Sequence, residues 1–66
     1  MKITKHEMIE MMIDNEYPRA INLLNGRRRR PYTPEEIAHH LQYHTSMEYI
    51  LNMFKCYLYW KIEGER

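Results

Sequence analysis

Four consecutive arginines, Arg27–Arg30, stand with no acid among them. Adjacent like charges repel, and an anion relieves that repulsion. Phosphate is an anion whose geometry the guanidinium fork matches well. Further along, Tyr49, Asn52 and Lys55 recur at intervals of three, which sets them on the outer face of one helix, with Thr45 and Ser46 near its start. An asparagine so placed can read adenine through paired hydrogen bonds, and a lysine can meet phosphate. Backbone amides at a helix start can hold a phosphate as well. Lys61 and Arg66 add cations beyond that helix.

Other residues with chemical potential lead less far. His40 and His44 are four apart, the spacing that lets two imidazoles share a metal on one helical face, and His39 and Cys56 are the other soft ligands nearby. Neither a Cys-x-x-Cys nor a Glu-x-x-His companion accompanies them, so surface histidines are expected, with no metal and no cofactor. Cys56 has no adjacent base to activate it. The chain has no glycine-rich phosphate loop and no Ser/His/Asp arrangement with room to work, and Glu35 and Glu36 read as capping acids. A non-enzymatic protein is expected.

The elements that must position these residues have little chain to work with. At 66 residues and 8.2 kDa, a single domain over residues 1–66 is expected, removing about 60% of its unfolded surface on folding. A core that small needs support from disulfides, a metal or a partner subunit. The lone Cys56 excludes an intramolecular disulfide, so a homodimer is expected. The absence of valine and the six methionines favour helices over a sandwich or barrel. No apolar run approaches the ~20 residues that span a bilayer, and the opening MKITKHEMIE is unlike a signal peptide. An intracellular, cytoplasmic protein with no membrane partner is the expectation. The net charge of +1 hides an asymmetry: residues 1–33 carry +3 and residues 34–66 carry −2.

Local signals cut the chain into four helices. Thr4 followed by Glu7 is a capping-box pattern, and Ile9, Met12 and Ile13 then recur at helical spacing, predicting a helix over residues 5–15. Met8 and Met11 widen its apolar stripe. Pro18 at a first turn and Gly26 at an end predict a second helix over 18–25, followed by the arginine loop. Thr33-Pro34-Glu35-Glu36 is the sharpest signal, with threonine as cap, proline at the first helical position and Glu36 closing a capping box. It opens a third helix over 34–42. Ser46 caps a fourth over 46–56, in which Met47, Ile50, Leu51, Phe54 and Leu58 share an inner arc, with Glu48, Tyr49, Asn52, Met53, Lys55 and Cys56 opposite. For residues 57–62 the helical pattern continues through Leu58, yet Leu58, Trp60 and Ile62 also alternate as in a strand. Their aromatic richness favours the strand.

In this order the pieces resemble a winged helix-turn-helix domain. The resemblance rests on Ala20-Ile21-Asn22-Leu23-Leu24-Asn25-Gly26 and Tyr32-Thr33-Pro34-Glu35-Glu36-Ile37-Ala38-His39-His40-Leu41, and covers about residues 18–62. Gln42 stands where the family's turn usually has glycine, and the turn is about one residue shorter. The resemblance implies a mainly α fold: a small winged-helix-like helix-turn-helix domain with an extra N-terminal helix and a short C-terminal β strand or hairpin. It also implies a sequence-specific DNA-binding regulator of transcription. Its fourth helix would enter the major groove of double-stranded DNA through Thr45, Ser46, Tyr49, Asn52 and Lys55. Arg27, Arg28, Arg29, Arg30 and Lys61 would lie on the backbone, and the dimer would form through the first helix or the tyrosine-rich end. The alternative is a protein-interaction module that docks on a larger protein through Tyr49, Met53, Cys56, Tyr57 and Trp60.

Overall fold

A computed structural model describes residues 2–24 and 32–64, and these form four helices: α1 Lys5–Asp14, α2 Pro18–Ile21, α3 Pro34–His44 and α4 Met47–Gly64. The protein is mainly helical, and none of the described residues lies in a strand.

Both capping boxes form. The Thr4 hydroxyl accepts the Glu7 amide at 3.1 Å while the Glu7 carboxylate accepts the Thr4 amide at 3.1 Å. Thr33 and Glu36 repeat the exchange at 3.2 and 3.0 Å. Each box satisfies an amide that a helix start would otherwise leave unpaired, and carries a carboxylate towards the positive end of the helix dipole.

The end of α1 was not legible as such. Asn15 is its C-cap, and Glu16 follows at φ 53°, in the left-handed region. The Glu16 amide donates to the Ile13 carbonyl at 3.0 Å and the Tyr17 amide to the Met12 carbonyl at 2.9 Å. That pair of bonds is a Schellman motif with glutamate where glycine normally sits. Met12 and Tyr17, the two residues whose contact accompanies such a motif, both lie in the core. An L-residue pays about 1 kcal/mol or more in this region. Glu16→Gly is therefore expected to raise stability by about 0.5–1 kcal/mol after glycine's larger unfolded-state entropy is counted. Thermal unfolding should show a midpoint ~4 °C higher.

α1 packs against α4, α3 and α2, and so organises the core. Lys5, at its start, donates from Nζ to the carbonyls of Gln42 (2.7 Å) and Thr45 at the end of α3. Asn15, just past its end, accepts from Lys61 Nζ at 2.9 Å near the end of α4. These two ties make α1 parallel to α4 and antiparallel to α3. Lys5 also brings a cation to the negative end of the α3 dipole. The core joins Met8, Ile9, Met12 and Ile13 of α1 with Ile37 and Leu41 of α3 and Ile50, Met53, Phe54 and Tyr57 of α4. Tyr17 and Ala20 close it from the α2 side.

Several sequence-based boundaries and faces shift. The second helix ends at Ile21 rather than residue 25, because Asn22 caps it and the Leu23 amide turns back to Ala20. Asn25 and Gly26 lie outside the described residues. The third helix continues through His44, two residues past the expected end. The fourth helix does not stop at residue 56: Tyr57–Ile62, expected as a strand, are helical, because Tyr57 repeats the spacing of Ile50, Met53 and Phe54 and packs into the same core. The helix is also rotated from the expected orientation. Met53, assigned to the outer face, is buried, whereas Met47, Leu51 and Leu58, assigned to the core, are 40–45% exposed. Of the helix's two apolar arcs, α1 covers the one centred between Tyr57 and Ile50.

Candidate functional site

The residues singled out in the sequence now have places. Arg27–Arg30 and Arg66 lie outside the described residues. Thr45 and Ser46 form the two-residue turn between α3 and α4, and both hydroxyls serve that turn. Thr45 Oγ1 donates to the Leu41 carbonyl, and Ser46 Oγ accepts the Tyr49 amide at 3.0 Å. Tyr49, Asn52 and Lys55 are exposed on α4. At about 100° per residue, Lys61 lies about a third of a turn away from Lys55, and its ammonium is held by Asn15. The structure thus brings Tyr49, Asn52 and Lys55 onto one broad surface of α4 and leaves Lys61 off it.

The described residues include five lysines and arginines against eight acids, a balance of −3, so the positive charge of the chain resides chiefly in Arg27–Arg30. On the exposed part of α4, Lys55 stands with Glu48 and Glu63.

What α4 does expose is apolar and aromatic. Tyr49 is 38% exposed, Trp60 40% and Tyr59 76%. Tyr49, Cys56 and Trp60 fall within an arc of about 40°, bordered by Glu63 and Asn52, with Tyr59 about 60° beyond its edge. The arc is anchored from below. Trp60 packs on Tyr17 with ring centroids 5.3 Å apart, and Tyr17 meets Tyr57 edge-on at 5.6 Å. Arg19 Nη1 lies 3.4 Å from Cys56 Sγ and ties α2 to the same side of α4. Met53 and Tyr57, expected among these exposed residues, instead form the layer beneath them. Trp60 is thus held against the core, while Tyr49 and Tyr59 stand exposed on the same helix, and an aromatic side chain loses little conformational freedom when it is covered.

Three of the four histidines sit together on α3. His40 and His44 stack with ring centroids 5.1 Å apart, and His39 packs on Tyr43 at 4.8 Å. Together with Leu24, Tyr32 and Glu35 they border an open groove of about 500 Å³. Among the described residues, no group of three or more His, Cys, Asp or Glu side chains is arranged to hold a metal ion. Among the same residues, no helix is long and apolar enough to cross a membrane.

No family model, no curated protein and no solved structure matches this chain.

Proposed function

We propose that this protein is an interaction module that docks on a larger protein through the aromatic side of α4. The observation that carries the reading is the exposure of Tyr49, Tyr59 and Trp60 on one side of a helix whose core face is already filled. Tyrosine and tryptophan concentrate at the energetic centres of protein interfaces, because they supply large contact area at small entropic cost and keep a polar tip. A helical surface of this kind fits a partner that offers an apolar groove with acceptors at its rim.

A second reading, a DNA-binding regulator, is favoured by the two-residue turn between α3 and α4, the exposed Asn52 and Lys55, and the arginine run. Against it stand the acidic balance of the described residues and the helical conformation of residues 57–62, which leaves that segment unable to serve as a wing strand.

The two readings separate by substitution. Tagged protein is used to capture partners from its native cell extract, and the recovered protein is quantified for wild type, Tyr49→Ala/Tyr59→Ala and a variant with Arg27–Arg30 all changed to alanine. Both tyrosines are exposed, so their loss leaves the core intact. The interaction reading expects the tyrosine variant to lose at least about tenfold of the captured protein, the cost of removing one interface centre. It expects the arginine variant to retain capture. The reverse order, with DNA binding that weakens between 50 and 200 mM salt by an order of magnitude or more, would establish the second reading instead.

A further inference from the structure

A second apolar surface runs along α4, on a different side from the aromatic one. Met47, Leu51, Leu58 and Ile62 are 45%, 40%, 42% and 58% exposed, and at about 100° per residue they fall within an arc of about 60°. Phe54, 8% exposed, joins this arc to the core. The positions Met47, Leu51, Phe54 and Leu58 follow one another at spacings of four, three and four, the seam of a two-helix coiled coil. One flank of the seam is the helix's own buried face, Ile50 and Tyr57. The other flank carries Glu48 and Lys55, both exposed, of opposite charge and one heptad apart.

We infer that this stripe is covered by a second copy of the same chain, with the two α4 helices packed antiparallel. Antiparallel packing sets like flank against like flank. With Met47 opposite Leu58 of the second copy and Leu51 opposite its Phe54, the seam closes on itself, and each apolar position meets an apolar position. In that register Glu48 comes within about two residues, ~3 Å along the axis, of Lys55 of the second copy. Lys55 meets Glu48 of the second copy in the same way. One charge pattern thus makes two ion pairs, the reciprocity that a two-fold interface requires. A parallel pair would set the Glu48–Lys55 flank against the buried Ile50–Tyr57 flank and leave both charges without partners. The pairing also supplies the support that so small a core calls for. Because it uses a different side of α4, it leaves Tyr49, Tyr59 and Trp60 exposed on both copies and stands whether or not the aromatic side docks on another protein.

The test is sedimentation equilibrium of the intact chain from about 1 to about 500 µM, a range suited to an interface below standard size. Wild type, Glu48→Lys, Lys55→Glu, the double variant Glu48→Lys/Lys55→Glu, and Leu51→Glu are compared, with circular dichroism to confirm that each is folded. The wild type is expected to dimerise. Each single reversal replaces two attractions by two repulsions and is expected to weaken the dimer about tenfold. The double reversal restores the pairing and should return the dissociation constant to within about threefold of wild type, and Leu51→Glu should weaken it about 100-fold or more. A wild type that stays monomeric to the highest concentration would overturn the inference. A dimer unaffected by Leu51→Glu, or a double reversal as weak as the singles, would overturn the proposed pairing.

Discussion

Tyr57→Ala is expected to unfold most of the protein at 25 °C. Tyr57 is the largest of the fully buried side chains, 2% exposed, and it joins three other rings. Tyr17 meets it edge-on at 5.6 Å, Phe54 lies 5.5 Å away and Trp60 6.1 Å. Truncating a large buried aromatic costs about 3–5 kcal/mol, the transfer loss plus the cavity left behind. A domain of this size rarely has more than about 3–5 kcal/mol to lose. Tyr57→Phe keeps the ring and its packing and is expected to remain folded. Far-UV circular dichroism with urea titration of both variants checks the pair. A Tyr57→Ala protein that keeps its helical signal and loses less than ~1 kcal/mol would contradict the burial of Tyr57, and with it the extension of α4 through residues 57–62.

The rotation of α4 carries the second large prediction. Met53 is 1% exposed and faces α1 together with Ile50, Phe54 and Tyr57, whereas Leu51, two residues earlier, is 40% exposed. Glutamate at position 53 would place a carboxylate in the core with no partner, at a cost of several kcal/mol or a forced protonation. Met53→Glu is therefore expected to be unfolded at neutral pH. The same change at Leu51 exchanges surface for surface and should alter monomer stability by less than ~1 kcal/mol. Urea melts at low protein concentration, where association contributes nothing, measure both. If Leu51→Glu proved the destructive change and Met53→Glu the tolerated one, α4 would present the opposite arc to the core.

These two substitutions mark where the sequence was legible and where it was not. Thr4–Glu7 and Thr33–Glu36 are readable because a capping box closes within four residues and needs nothing from the rest of the chain. Met8, Ile9, Met12 and Ile13 of α1 are readable because they share one stripe, although Met11, expected to widen it, is 37% exposed. In α4 apolar residues fill two arcs, so spacing alone could not say which one α1 would cover. The expected inner face, centred between Phe54 and Met47, lay between the buried arc and the exposed stripe. Residues 57–62 misled for a related reason: aromatic residues alternating with polar-tipped ones satisfy a strand pattern, while Tyr57 also continues the helical spacing of Phe54. Glu16 gave no signal, since the left-handed residue that ends α1 is not a glycine. The Lys5 ties to Gln42 and Thr45 join residues about forty positions apart, beyond the reach of local pattern.

The candidate site divides in the same way. Exposure of Tyr49, Asn52 and Lys55 followed from their spacing. The wider aromatic surface was partly misassigned, because Met53 and Tyr57 belong beneath it while Tyr59 belongs on it. The aliphatic stripe at Met47, Leu51, Leu58 and Ile62 went unrecognised for the same reason as the rotation, since three of those residues were assigned to the core.

The proposed docking role of α4 rests on its helical continuation through residues 57–62, which leaves no wing strand there. Backbone NMR assignment of the intact protein tests this most directly. Helical Cα secondary shifts and sequential amide–amide contacts are expected to run unbroken from Met47 through Glu63. Strand-like shifts over Tyr57–Ile62, with cross-strand contacts to another segment, would contradict it and return the winged-helix reading to first place.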